Sequence, residues 1–312
     1  MNKAPSRLRP FARAADAARS VLKATDAAPP ARSLWADAWR RLRQNRAAMA
    51  SLVVLAIMVL AAAFGPLLSP YTYYTPEWIL LNHAPTLTGF HVLGTDDLGR
   101  DLLVRILWGM RVSLMIGFVA AFVSLVIGVL WGATAGYVGG WVDSLMMRIV
   151  DILYAVPFIP FVIVLLVLFG RNLILIFVAI GAVSWLDIAR IVRGQALALK
   201  KREFVAAARA AGVGSFTIIR RHLVPNLIGI VVIYITLTIP SLILFEAFLS
   251  FLGLGVQAPM ASLGSLVSDG VADLQSYPYM LIIPSVVLAT LVYCFNYLGD
   301  GLRDALDPQD RR

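Results

Sequence analysis

The chain has 312 residues, 60% of them apolar and only 14% charged, with a mean hydropathy of +0.80. Soluble domains carry about a quarter charged residues, so this is a membrane protein, long enough for one large domain or two ordinary ones. The net charge of +9 comes from basic residues that flank apolar runs, which excludes nucleic acid as the expected partner and points to topology and anionic lipid. The single cysteine, Cys294, lies within an apolar run; this excludes a disulfide framework and a thiolate metal site and suits a small buried hydrophobe. His83, His91 and His222 are far apart and unaccompanied, so no metal site is expected.

Residues 1–46 hold eleven Lys/Arg and three Asp but no apolar core long enough for a cleavable signal. The Pro/Ala-rich part up to Ala31 has the composition of a disordered tail. From Ser33 to Arg46 the pattern changes. Leu34, Trp35, Trp39 and Leu42 share one helical face while Arg40, Arg41, Arg43 and Arg46 crowd the rest. This predicts an interfacial helix lying on the inner leaflet before the first span, or a basic flank that enforces topology; the two are compatible. The division is therefore a basic tail, 1–46, followed by a membrane domain, 47–312.

Spans of roughly 20 apolar residues are needed to cross a bilayer. Six segments qualify, near 47–68, 113–136, 149–169, 172–188, 227–250 and 279–299. The fourth is the weakest, because only fifteen uncharged residues separate Arg171 from Asp187. With both termini inside, the tail, the 137–148 turn, the 189–226 loop and the C-terminal tail hold 23 basic residues. The outer side then holds four, Arg100, Arg105, Arg111 and Arg171. The positive-inside bias selects this orientation.

Two outer segments carry pattern of their own. In 91–111, a turn with Thr95 or Asp96 as cap precedes a helical pattern, and Asp101 stands four residues before Arg105 as a helix-supporting pair. Residues 252–278 contain several glycines and no basic residue, which suits a re-entrant or surface-lying element packed on the bundle. For both, a capped loop is the simpler alternative.

The segment 190–226 is the most informative. From Arg190 to Pro225 it carries eight basic residues against one acid, Glu203. It reads as two short helices broken at Gly212 and Gly214, with Ser215 available to cap the second and Pro225 closing the unit. Its alanine-rich first helix permits close approach, so the segment is a handle offered to something in the cytoplasm.

No GxxxxGK[ST] phosphate loop, HExxH, GxSxG or paired-His spacing occurs, and none of the four lysines follows a glycine. A membrane protein without its own power source conducts passively, couples to an ion gradient or borrows energy from a partner. Glu246, toward the outer end of the fifth span, is the one charge well inside a span. It is either a translocation-path or gating residue, or an anchor hydrogen-bonded to a neighbouring helix; alone it gives thin support to a proton relay.

Six ordered motifs carry a resemblance over residues 33–312. They are SLWADAWRRLRQNRAA (33–48), LGTDDLGRDLLVRI (93–106), SWLDIARIVRGQ (184–195), RRHLVPN (220–226), FLSFLGLG (248–255) and GDGLRDALDP (299–308). Through them the chain resembles permease subunits of binding-protein-dependent ATP-driven importers, most closely the C-type oligopeptide/dipeptide permease family. The resemblance implies an all-α fold of six transmembrane helices, the type I ABC importer transmembrane domain, in the bacterial inner membrane. Gly94, Asp96, Gly99, Arg100 and Asp101 fall in its periplasmic signature. Its cytoplasmic motif (EAA, three residues, Gly, nine residues, a hydrophobic position two residues before Leu-Pro) lays Ala207 and Ala208 on the alanines, Gly212 on the glycine and Pro225 on the proline. Arg221 lies in the same motif; His222 takes the hydrophobic position and Val224 the leucine. Ala206 takes the place of the glutamate that helps seat this element in a groove on the ATPase. Glu203, one turn earlier on the same face, is the candidate to replace it.

The resemblance further implies a second homologous permease, two cytoplasmic ATPases that bind the ATP and Mg, an extracytoplasmic peptide-binding protein and a peptide cargo. This chain itself would need no cofactor and perform no catalysis. A nickel or other small-solute importer is the alternative within the family, and an autonomous channel or gradient-driven carrier the alternative outside it. An intramembrane enzyme lacks any nucleophile–base spacing, and no convincing internal repeat is present.

Overall fold

The structure is a computed structural model that describes residues 34–86, 91–170 and 173–306. Among these the regular structure is helical, with loops at 69–86, 91–101 and 252–262 and one isolated bridge between Thr95 and Asp101. In chain order the helices are α1 (Leu34–Gln44), α2 (Arg46–Leu68), α3 (Leu102–Val138), α4 (Gly140–Ala155), α5 (Phe158–Phe169), α6 (Leu173–Leu199) and α7 (Glu203–Ala210). Then come α8 (Ser215–Ile218), a π turn (Ile219–Leu223), α9 (Val224–Phe251), α10 (Leu263–Ala272) and α11 (Tyr279–Leu306). Five helical stretches are long and apolar enough to cross a membrane, and the α4–α5 pair, bent by 78°, makes a sixth if it counts as one span.

Several expected boundaries are corrected. The 113–136 span is the middle of the 37-residue α3, which absorbs the helical pattern expected as a separate outer element. Its cap is Asp101, whose side chain accepts from the Val104 amide at 2.8 Å, rather than Thr95 or Asp96. The expected Asp101–Arg105 pair does not form, because Arg105 turns to Asp96 instead. Residues 137–148 are not a turn: the chain reverses at Gly139 alone and α4 begins at once. The 149–169 span is broken at Val156, which is extended because Pro157 disfavours the helical conformation in the residue before it. The weak fourth span is a 27-residue helix that carries Arg190 and Arg193 beyond its apolar stretch. The N-terminal residues before Leu34, Arg171 and the residues after Leu306 lie outside the described residues.

In helix α1, Ala38 and Leu42 are buried against Ala305 and the flanking leucines of α11, which ties this helix to the end of the bundle. Trp39 stays 44% exposed beneath the Arg43 guanidinium. The side chains of Leu34 and Trp35 are outside the description.

In hydrocarbon, helices associate through close packing rather than through apolar burial, and small residues at spacing four permit it. Helix α3 meets α6 along such a seam, Gly128, Gly132 and Gly136. A Cβ at Gly128 would lie 2.7 Å from Ile188, one at Gly136 2.7 Å from the Arg193 carbonyl oxygen, and one at Gly132 would collide with the Ala189 carbonyl. At one end of the bundle, α1, the ends of α3, α6 and α11 and the whole segment 200–223 come together with most of the described basic residues. At the opposite end lie the loops around residues 77–101, α10 and the start of α11.

Pro66 interrupts α2 and removes the amide that would satisfy the Ala62 carbonyl. Arg111 of α3 repairs this: its Nε donates to Ala62 O at 3.1 Å and its Nη2 to Ala63 O at 2.5 Å. Its guanidinium also lies over Trp108, which stacks on Tyr73 at 4.1 Å. Arg111→Met should therefore orphan the Ala62 carbonyl, remove a bond to that of Ala63 and cost about 1–3 kcal/mol. A thermal melt of the purified protein in detergent reads this; an unchanged melting temperature would refute the repair.

Candidate functional site

The segment 200–226 is built as a rigid corner. Helix α6 ends at Leu199, a basic turn of Lys200, Lys201 and Arg202 follows, and α7 starts at Glu203. Helix α7 closes with Gly212 at φ +75°, where a residue with a side chain would be strained. The Gly212 amide donates to the Arg209 carbonyl and the Val213 amide to that of Ala208, the paired bonds of a Schellman ending. Val213 and Ala208 then pack together against Val205, Ile218 and Leu223.

The second half departs from expectation. Gly214, not Ser215, occupies the cap position, and no side chain caps it. Pro225 does not close the unit. It falls in the first turn of α9, immediately after the π turn in which the Val224 amide reaches back to Ile219. Widening the helix by one residue ahead of a proline accommodates the missing N–H and the ring without a break. The Asn226 amide side chain donates to the His222 carbonyl at 2.6 Å in the same turn. The consequence is a continuous rod from Ser215 to Phe251, 37 residues long. At 1.5 Å per residue this is about 55 Å, well beyond the hydrocarbon thickness.

Glu203, Ala207, Arg221 and Pro225 are exposed, as is Ala206, while Ala208 and His222 are half-buried. Glu203, Ala206 and Ala207 share one exposed face, so the carboxylate is presented one turn from the alanines. Phe204 and Phe216, 39% and 76% exposed, add two aromatic side chains to the same segment.

Sequence inspection missed what holds this corner to the bundle. Tyr137, at the end of α3, is buried, and its hydroxyl accepts from Arg209 Nε at 3.2 Å while the guanidinium lies over its ring. Lys200 approaches the same ring at 5.8 Å and donates to the Val138 carbonyl at 3.2 Å. Beside them a cleft of about 470 Å³ is lined by Tyr137, Val138, Lys200, Arg209, Gly212, Val213 and Ser215. Arg193 grips Asp143 of α4 with two bonds, 2.5 and 2.6 Å, and Arg190 reaches Asp151 at 2.9 Å. The separation in sequence, 50 residues for Arg193–Asp143, leaves no local signal for such pairs.

At the opposite end the signature residues form a knot. Asp96 Oδ1 accepts from the Leu98 and Arg100 amides at 2.9 Å, and Oδ2 accepts from Arg100 Nε at 2.7 Å and from Arg105. Asp101 caps α3 and holds His91 Nδ1 at 2.8 Å; His91, expected to stand alone, also stacks on Tyr71. A Cβ on Gly94 or Gly99 would strike the backbone of His83 or Glu77, so both glycines let the loops pass closely. Tyr279 ties the knot to α11 by donating to the Thr95 and His83 carbonyls. Nearby, desolvation raises the Asp269 carboxyl above its usual range, an effect the Arg105 guanidinium opposes. Glu246 is wholly buried and hydrogen-bonded to three serines, the geometry of the anchoring alternative; it does not line a path within this chain.

A helical membrane bundle with a basic surface corner fused to a membrane-crossing rod defines a transport component that engages another subunit. The family described as binding-protein-dependent transport system inner membrane components matches residues 128–312, and the N-terminal membrane domain of oligopeptide transport permease C matches residues 33–85. The chain is 55% identical over 280 residues to the oligopeptide transport system permease protein OppC of Salmonella typhimurium, covering 90% of this chain and 93% of that protein. To the dipeptide transport system permease protein DppC of Bacillus subtilis it is 44% identical, covering 91% and 88%. A chain of the MetNI methionine ABC transporter in an inward-facing conformation superposes with a TM-score of 0.51 at 23% identity. It covers 66% of this chain and 96% of that chain, a likeness of fold. The chain belongs to the binding-protein-dependent ABC permease family of multi-pass bacterial inner-membrane proteins. Membership implies work with ATPase and binding-protein subunits.

Gly212→Val should cost about 1–2 kcal/mol, the strain of a left-handed position, and loosen the corner. Limited proteolysis of the 200–215 segment should accelerate while the knot around Asp96 stays protected; equal protection in both proteins would refute the corner's dependence on Gly212.

Proposed function

We propose that this chain is the C-type permease subunit of an ATP-driven oligopeptide/dipeptide importer. The observation that carries the reading is the continuous rod Ser215–Phe251, which joins a basic, alanine-rich surface corner to the membrane core without a break. A contact made at the corner is thereby transmitted into the bilayer by helix rigidity. The cargo follows the relatives, which are named oligopeptide and dipeptide permeases at 44–55% identity.

The basic end faces the cytoplasm, with both termini and the tail 1–46 on that side, as the positive-inside bias requires. There Glu203, Ala207, Ala208, Gly212, Arg221, His222 and Pro225 make the coupling surface. The alanines admit close approach, Gly212 sets the corner, Pro225 lies within the rod at the first turn of α9, and Glu203 stands in for the glutamate replaced by Ala206. Two cytoplasmic ATPases bind ATP and Mg; this chain holds no cofactor and performs no catalysis. The path runs between this chain and a second homologous permease. ATPase closure draws the two coupling corners together and biases the membrane subunits between inward- and outward-open states. On the outer face the knot of Gly94, Asp96, Gly99, Arg100 and Asp101 keeps the loops rigid for an extracytoplasmic peptide-binding protein.

Purification of the intact chain from mild detergent tests the class: nucleotide-binding subunits and a second permease should co-elute. Transport of solute by this chain alone in liposomes would overturn the reading. Within the complex, Glu203→Ala should weaken ATPase retention by about 0.2–1 kcal/mol, the range of an exposed ion pair, and raise its salt sensitivity. Unchanged retention across a salt series would remove Glu203 from the contact.

A further inference from the structure

The outer end of the rod carries a second joint that the coupling surface does not explain. Glu246 sits in α9 with no solvent exposure, about one and a half turns before the helix ends at Phe251. Its Oε1 accepts from Ser262 Oγ at 2.6 Å and Ser250 Oγ at 2.7 Å, and its Oε2 from Ser113 Oγ at 3.2 Å. Ser250 belongs to α9 itself, so that bond joins nothing new. The other two cross between elements. Ser262 is the cap of α10 and accepts from the Ser265 amide at 3.0 Å, while Ser265 Oγ accepts from the Ser262 amide at 2.9 Å. Ser113, on α3, accepts from the Leu263 amide at 3.0 Å.

The backbones close on the same point. A Cβ on Gly109 of α3 would lie 3.0 Å from the Ser262 carbonyl carbon, and one on Gly264 of α10 would collide with Ala247 of α9. At its far end α10 meets α11 through Gly270. Helix α10 is thus held at its first turn by a carboxylate on the rod whose other end is the coupling corner.

We propose that Glu246 is a positioning residue for transport, the joint through which movement of the rod is passed to α10 and the outer end of the bundle. A carboxylate surrounded by hydroxyls suits this task. It accepts several directional bonds at once, and in a site shielded from water the bond from Ser262, together with that from the Leu263 amide to Ser113, would be broken and its groups left unpaired if α10 slipped. Rod, α10 and the outer part of α3 therefore move as one body, and a push on the corner arrives outside. This deepens the importer reading and rests on it.

The test uses the complete transporter, with its ATPases and second permease, reconstituted in proteoliposomes and stimulated by peptide-loaded binding protein. Glu246→Leu, close in volume but without acceptors, and Ser262→Ala should keep basal ATP hydrolysis while losing stimulation about fivefold or more, the lower bound of a site-to-site coupling. Glu246→Gln, which retains an acceptor and adds a donor, should recover most of the stimulation. Ser250→Ala, which cuts only the bond within α9, should behave as wild type. Stimulation unchanged in Glu246→Leu and Ser262→Ala overturns the proposal. So does a fall of basal and stimulated rates by one common factor, which would mark a merely structural residue. A wild-type complex that shows no stimulation by loaded binding protein instead overturns the importer reading on which the proposal stands.

Discussion

Hydrocarbon offers no partner to a backbone amide or carbonyl, and the departures from regular helix at Pro66 and Pro225 are built around that constraint. Pro66 takes a donor from α2, and Arg111 returns one from a neighbouring helix. Pro225 is preceded by a π turn, so the rod continues where a break would otherwise fall. The wholly buried carboxylate of Glu246 is surrounded by three hydroxyl donors. These repairs let long helices carry polar groups and prolines without losing continuity.

Continuity is what makes the architecture mechanical. The rod Ser215–Phe251 has a basic corner at one end and the α10 joint at the other. The corner is fastened sideways to α3 through Tyr137, held by Arg209 and Lys200, while α6 is fastened to α4 through Arg193 and Asp143. The glycine seam of α3 locks α3 to α6 at backbone distance. Long helices joined in this way transmit displacement because packed cores resist compression.

The two ends differ in the work their charges do. Asp96, Arg100, Arg105 and Asp101 are buried; Asp96 binds both arginines and the loop backbone, and Asp101 binds His91 and the first turn of α3, so they hold shape. Arg220, Arg221, Arg202 and Lys201 are exposed, so they remain free to meet solvent, lipid or protein. A charge engaged internally positions a loop; an exposed one offers a surface. Motif spacing alone does not distinguish the two, because both occur in short runs of charged residues.

Membrane character, a bundle of about six spans, the special status of 200–226 and family membership were all legible in the chain itself. They depend on composition, on apolar run length and on motifs whose residues are close together. The seam Gly128–Gly132–Gly136 was readable in principle by its spacing of four, although a glycine does not announce which helix will face it. What lay beyond reading was every relation between distant segments. The partner of Arg105 was Asp96 rather than the nearer Asp101; Pro225 continued a helix it was expected to end; Leu42 of α1 found its place against α11. Apolar length and charge placement are sums over neighbouring residues, so one dimension suffices to state them. Which donor meets which acceptor, and whether a proline stops a helix or rides through it, depends on what another helix brings to that point, and only the folded bundle decides this.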